Sequence, residues 1–127
     1  MGELTKYDVS VTVMPQYLPD QSDEAAGRFV FAYHVTIVNT GSVTAQLLNR
    51  HWIISEGGGK EQEVKGQGVI GEQPTLSPGE GFEYVSGVAL SSPVGTMRGS
   101  YQFMAEDGTS FDAPIDEFVL SVPRTLH

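Results

Sequence analysis

Arg28-Phe29-Val30-Phe31-Ala32-Tyr33-His34-Val35-Thr36-Ile37-Val38-Asn39 decides the fold. Phe29, Phe31, Tyr33, Val35 and Ile37 share one parity, and Val30, Ala32, His34, Thr36 and Val38 share the other. A repeat of two is the signature of a strand, whose successive side chains leave opposite faces. Here both faces are mostly apolar. That predicts a central strand, or one whose second face a neighbouring segment partly covers.

The same period recurs on either side. Upstream, Tyr7, Val9, Val11 and Val13 alternate with Lys6, Asp8, Ser10 and Thr12, which predicts a half-buried strand over residues 6–13. Residues 14–27 carry Pro15, Pro19 and the polar run Asp20-Gln21-Ser22-Asp23-Glu24, and read as a loop. Downstream, Asn39-Thr40-Gly41 is a turn. A short strand over residues 43–48 then runs into residues 49–56, where Trp52 and Ile54 share a face. The single Trp is expected to anchor a core between two sheets. Gly57-Gly58-Gly59 predicts a hairpin connection, and the charged segment 60–65 an edge strand returning from it. Residues 66–81 hold too much Gly and Pro for a long helix. Residues 82–89 alternate again, with Phe82, Tyr84, Ser86 and Val88 together. Residues 96–105 place Met97, Tyr101, Phe103 and Ala105 on one face, and Asp107-Gly108 is a hairpin signal. Residues 109–113 return, Pro114 interrupts, and residues 115–122 supply the last strand. About eight short antiparallel strands with regular turn signals predict an all-β sandwich. Nothing suggests a repeat or a linker, so residues 1–127 are expected to form one domain.

Composition removes several functions. The chain has no Cys, which excludes disulfides, thiolate nucleophiles and Cys-based zinc sites. No apolar run approaches the roughly 18 residues that span a membrane. Met1-Gly2-Glu3-Leu4-Thr5-Lys6 lacks the basic-then-apolar layout of a signal peptide, and Lys6 stands where myristoylation wants Ser or Thr. A cytoplasmic location is expected. Seven basic against sixteen acidic residues give a net charge of −9, which repels phosphate backbones and anionic lipid. Neither nucleic acid nor membrane is an expected partner.

Gly66-Gln67-Gly68-Val69-Ile70-Gly71 spells G-x-G-x-x-G. In a dinucleotide fold this motif follows a strand and opens a helix whose N-terminal N–H groups hold pyrophosphate. Pro74 and Pro78 follow too closely for that helix, so a dinucleotide site is not expected. A helix-free anion nest is the remaining ligand reading, with Lys65, Gly66, Gly68 and Gly71 as the candidate phosphate-binding loop. The competing reading gives the glycines a purely structural job, in positive φ and close packing. His34, His51 and His127 show no ligand spacing, and the acids at Asp20, Asp23 and Glu24 or at Glu106 and Asp107 lack a calcium-loop pattern. No metal site and no cofactor is expected. No G-x-S-x-G elbow occurs, so no catalytic residue is assigned and no enzyme is expected. Val30, Ala32, Val38, Met14 and Tyr17, with Val69 and Ile70, are candidates for an exposed partner patch.

Motifs in order along the chain resemble the ApaG family. They are Leu47-Leu48-Asn49-Arg50-His51-Trp52-Ile53-Ile54; the loop from Val64 to Pro74; Pro78-Gly79-Glu80 with Phe82, Tyr84 and Ser86; Pro93-Val94-Gly95-Thr96-Met97; Gly99-Ser100-Tyr101-Gln102-Phe103; and Asp107-Gly108 before Phe111. The resemblance runs from about Tyr7 to Leu120. It departs at Glu56-Gly57-Gly58-Gly59, where the family often has an Asp-containing turn, and at Ile115-Asp116-Glu117-Phe118, where it often has Ile-Pro. The resemblance implies an immunoglobulin-like or fibronectin type III-like antiparallel sandwich. It also implies no established enzymatic activity. It brings a CorD-like genetic association with cobalt resistance and magnesium efflux. Related domains in F-box proteins and a DNA polymerase delta-interacting protein imply protein binding. The expectation is a non-enzymatic protein-interaction module, with small-anion or nucleotide-phosphate binding at residues 66–71 as the alternative.

Overall fold

The computed structural model describes residues 5–123. The readings placed on Met1 to Leu4 and on His127 lie outside the described residues. The expected all-β sandwich forms. Its strands are β1 (Val9–Tyr17), β2 (Phe29–Asn39), β3 (Ala45–Glu56), β4 (Glu61–Gln67), β5 (Thr75–Leu76), β6 (Gly81–Leu90), β7 (Val94–Ala105) and β8 (Ser110–Ser121). One sheet has the order β1-β2-β6, and the other β4-β3-β7-β8 with the two-residue β5 also on β3. All pairings are antiparallel.

β2 is central in the small sheet, as its two apolar faces require. Its inward parity, Phe31, Tyr33, Val35 and Ile37, is buried against Leu47, Trp52 and Ile54 of β3 and Met97, Tyr101 and Phe103 of β7. Trp52 is the joint between sheets: its ring centre lies 5.4 Å from Tyr33, 6.2 Å from Tyr101 and 5.9 Å from Phe118, each edge-on. Such aromatic pairs add stabilisation beyond the area they bury.

Three boundaries differ from the sequence reading. β1 starts at Val9 and continues through Pro15 to Tyr17, with Pro15 paired to Tyr33. β8 likewise runs unbroken through Pro114, opposite Ser100. Both are edge strands, where the missing N–H of Pro can face away from the ladder. Within residues 66–81, where Gly and Pro exclude only a long helix, Thr75 and Leu76 form a short strand paired with Gln46 and Ala45. β3 runs continuously through both of the expected stretches, and its register against β7 shifts between Leu47 and Asn49. That bulge at Leu48 re-aims the strand and sets up the loop described next.

The sandwich is closed along one side only. β1 runs beside β8, whereas β6 has β2 as its only strand neighbour among the described residues. The side between β4 and β6 is open.

Candidate functional site

The Gly-rich loop leaves β4 and folds back onto the bulge of β3. Gly68 N–H donates to Leu48 O at 2.8 Å, and Gln73 Nε2 donates to the same carbonyl at 3.0 Å. Leu47 N–H donates to Pro74 O at 3.0 Å, and Gln46 Nε2 to Gln73 O at 3.1 Å. Within the loop, Val69 N–H donates to Glu72 O and Glu72 N–H to Val69 O, so residues 69–72 form a tight turn. Ile70 at φ 44° and Gly71 at φ 79° stand at its corner. Positive φ at both central residues is the type I′ pattern.

Two of the glycines have a structural cause. At Gly68, with φ 65°, a Cβ would lie 2.4 Å from Glu72 O. At Gly66, inside β4, a Cβ would lie 2.7 Å from the Arg50 guanidinium. Arg50 is what occupies that space. Its Nη1 donates to Gln67 O at 3.1 Å and Gly68 O at 2.9 Å, tying loop to sheet. The amides of Gly68, Val69 and Glu72 are thus engaged by carbonyls, and the run of free N–H groups that a wide anion nest requires is not formed.

Lys65 does not join the loop. It pairs with His51 across β3–β4 on the outer face of the large sheet, and its Nζ lies 3.7 Å from Glu63 Oε1. His51 Nε2 lies 3.0 Å from Glu63 Oε2. His51 first, then Lys65, hold the Glu63 carboxyl below its ordinary range. His51 and Lys65, with Asn49, Ser100, Gln102 and Asp112, line a shallow groove of about 510 Å³ on that face. Asn49 Nδ2 donates to Gln102 Oε1 at 2.6 Å across its floor.

The cation near the loop tip is Arg50, which the sequence reading passed over. Trp52 and Ile54 were recognised as one face, and Arg50 shares their parity. That was the available signal. Arg50, Tyr33, Trp52, Tyr84 and Ser86, with Val69, Ile70 and Gly71, line a cavity of about 210 Å³. It adjoins a second space of about 340 Å³ that runs between β4 and β6 and shares Tyr33, Arg50, Trp52 and Ser86. Tyr84, which lines the first cavity, shares a hydroxyl hydrogen bond with Tyr101 between the two sheets. Burial pushes the Tyr84 hydroxyl up to about 12, and burial with the neighbouring Tyr84 pushes Tyr101 up as well.

The expected apolar patch assembles differently. Val69 is 1% exposed and belongs to the core, and Val30 is also buried. Tyr17 is half-buried and donates to Glu24 Oε2 at 2.6 Å. Met14, however, is 68% exposed and Val85 60%. Both pair with His34, so the three stand in one rung across the small sheet's outer face. Ala32 and Gly87 form the adjacent rung. Val85 was missed because the reading of residues 82–89 followed only their inward parity.

The acidic clusters have local jobs. Asp23 Oδ1 accepts from Ala26 N–H at 3.2 Å. Asp107 accepts from the Tyr7 hydroxyl at 2.6 Å and from Thr109 N–H at 2.9 Å, and these bonds, Tyr7 first, hold its carboxyl below the usual range. Among the described residues no three His, Cys, Asp or Glu side chains converge on one point. No helix there is long and apolar enough to cross a membrane.

A family model for the ApaG domain matches residues 19–105. The chain belongs to the ApaG family. Protein ApaG of Nitrosospira multiformis is 61% identical over 127 residues, the whole of both chains. Protein ApaG of Nitrosomonas europaea is 62% identical over 122 residues, 96% of each. A crystal structure described as an ApaA protein of Bordetella pertussis has a TM-score of 0.93 at 53% identity, covering 97% of this chain and all of that one. The C-terminal domain of wzt, at 13% identity and a TM-score of 0.56 over 96% of this chain and 77% of that one, shares the fold alone.

Proposed function

We propose that this ApaG domain is a non-enzymatic interaction module acting in the cytoplasm. The observation that carries the reading is the pair of exposed apolar side chains, Met14 and Val85, flanking His34 in one rung, with Ala32 and Gly87 on one side of it and Thr36 and Glu83 on the other. Exposed apolar residues standing singly are ordinary, whereas a row of them on a flat face suits a partner. Val119 on the large sheet supplies the contrast. It is 56% exposed, and its own rung, Thr96 and Ser55, is polar, with exposed Val94 one rung along. In this reading any part in Co²⁺ resistance or Mg²⁺ efflux runs through the partner held on the face.

A photo-crosslinking residue at Val85 is expected to capture a discrete partner in cells, and the same residue at Val119 is not. Equal labelling from both positions, or none from Val85, defeats the proposal. So would nucleotide or ester turnover by the pure protein that one side-chain substitution abolishes.

One observation favours a second reading, the binding of a small phosphate-bearing ligand. Ile70 and Gly71 line the same cavity as Arg50, whose guanidinium supplies a cation that Lys65 does not. Pyrophosphate at millimolar concentration should then shift the amide signals of Ile70 and Gly71, and Arg50→Gln should remove the shift. Unmoved signals end that reading.

A further inference from the structure

We infer that β6 accepts an extended segment of a partner protein as an added strand of the small sheet. The inference rests on the interaction reading and names a place and a mode for it.

β6 is ten residues long and forms the outer margin of its sheet, so the backbone groups along its free edge have no strand partner among the described residues. Folded proteins usually disarm such edges with proline, charge or cover. The other margins of this sandwich are disarmed. β1 carries Pro15 and β8 carries Pro114, and the two run side by side. β4 carries three charges, Glu61, Glu63 and Lys65, within seven residues, on the large sheet's outer face as Glu83 is on the small sheet's. β6 has no proline and one charge, Glu83, which is turned onto the sheet's outer face. There its Oε1 lies 3.3 Å from His34 Nε2 and accepts from Thr36 Oγ1 at 3.3 Å. The one long edge left undefended is also the one on the open side.

The space beside that edge suits a strand's inward side chains. The cleft of about 340 Å³ between β6 and β4 is lined by Ser86 and Val88 at the edge, Tyr33, Trp52 and Met97 at its floor, and Val64 across it. An added strand sends alternate residues into such a cleft while its backbone pairs with the edge. The occupant is therefore an extended segment, free of proline over its pairing length, with apolar side chains at alternate positions. Charge adds one requirement. The chain carries −9 overall, and Glu83 and Glu56 stand near the two ends of β6, Glu56 accepting from Ser91 N–H at 2.7 Å. Lysine or arginine flanking the apolar positions complements both ends. The same net charge disfavours a second copy of this chain as the added strand.

The test uses the full chain and twelve-residue peptides selected on it from a random display library. Expected are peptides with the alternation just described, which slow hydrogen exchange along β6 and leave β8 unchanged. Each peptide is then remade with N-methyl groups on one alternate set of backbone amides, and on the other set. In a strand only one set faces the edge, so one version should bind about tenfold or more weaker and the other normally. Ser86→Lys, an inward charge on the edge, should weaken the parent peptide similarly, while Val119→Lys on the large sheet's outer face should not. The inference is overturned if the library yields no binders, if both methylated versions behave alike, if protection falls elsewhere than β6, or if the protein dimerises through β6 instead. Crosslinks from Val85 that persist through those failures keep the interaction reading and remove only strand addition.

Discussion

Asn39 closes β2 and is only 1% exposed. Its Nδ2 donates to Val43 O at 2.8 Å and Leu76 O at 2.9 Å, and its Oδ1 accepts from Gly41 N–H at 2.9 Å. All of the side chain's groups are used, and they join β2, the following turn and β5. Aspartate has the same shape but lacks the donors. Asn39→Asp strands two buried carbonyls against a carboxylate, which should cost about 3 kcal/mol or more near neutral pH. A urea titration would report it as a lower midpoint with an unchanged slope. A loss under about 1 kcal/mol would mean that water replaces the donors. The sequence marked Asn39 as a turn residue, which is correct and incomplete. Its partner Leu76 is 37 residues away, and no local pattern encodes a bond of that span.

The Gly-rich loop shows at the level of elements what a motif can and cannot say. Six residues spell a phosphate signature, yet the helix that gives the signature meaning is missing, as Pro74 and Pro78 indicate. The glycines that the structure does explain serve a tight turn pressed against a bulge. The bulge itself was illegible, because the same alternating run is compatible with a regular strand. Pro15 and Pro114 misled for a related reason: proline ends a central strand, and only the sheet order reveals that both lie at edges. The loop's own glycines are not equivalent, which gives a prediction. Gly68 and Gly71 both have positive φ, but a Cβ at Gly68 meets Glu72 O at 2.4 Å, whereas at Gly71 it meets nothing within 4 Å. Gly71→Ala should therefore cost only the left-handed backbone term, about 1 kcal/mol. Gly68→Ala adds a backbone clash and should cost about 3 kcal/mol in total, with faster hydrogen exchange at Val69. Equal costs at the two positions would mean that Glu72 O does not stand over Gly68.

For the whole molecule the decisive feature is that its two sheets are held unequally, closed at β1 and β8 and open at β4 and β6. The alternating pattern made the two-sheet core legible, including Trp52 at its centre. It did not reveal which margin stays open, since that depends on which strands become neighbours. Near the open margin the sheets are joined by the Tyr84–Tyr101 hydroxyl pair, one ring from β6 and one from β7. Removing either hydroxyl leaves the other buried without its partner, so Tyr84→Phe and Tyr101→Phe should each cost about 1–2 kcal/mol, and the double change less than their sum. The pair also sets a pH dependence whose direction follows from linkage. An unfolded tyrosine loses its proton near its ordinary value of 10.0, while burial raises Tyr84 to about 12 and Tyr101 in the same direction. The folded state therefore holds protons that the unfolded state has released, and stability falls as pH rises. The contribution is complete below about pH 10 and drains away as pH climbs through about 12, as the folded hydroxyls begin to ionise. Urea midpoints at steps across this interval should fall steadily for the native sequence, with the near-ultraviolet dichroism of the packed rings lost at each transition. The double phenylalanine variant has neither hydroxyl to ionise and should fall less steeply over the same interval. An identical slope in both proteins would assign the alkaline sensitivity to other groups, and would mean that water reaches this hydroxyl pair through the open side.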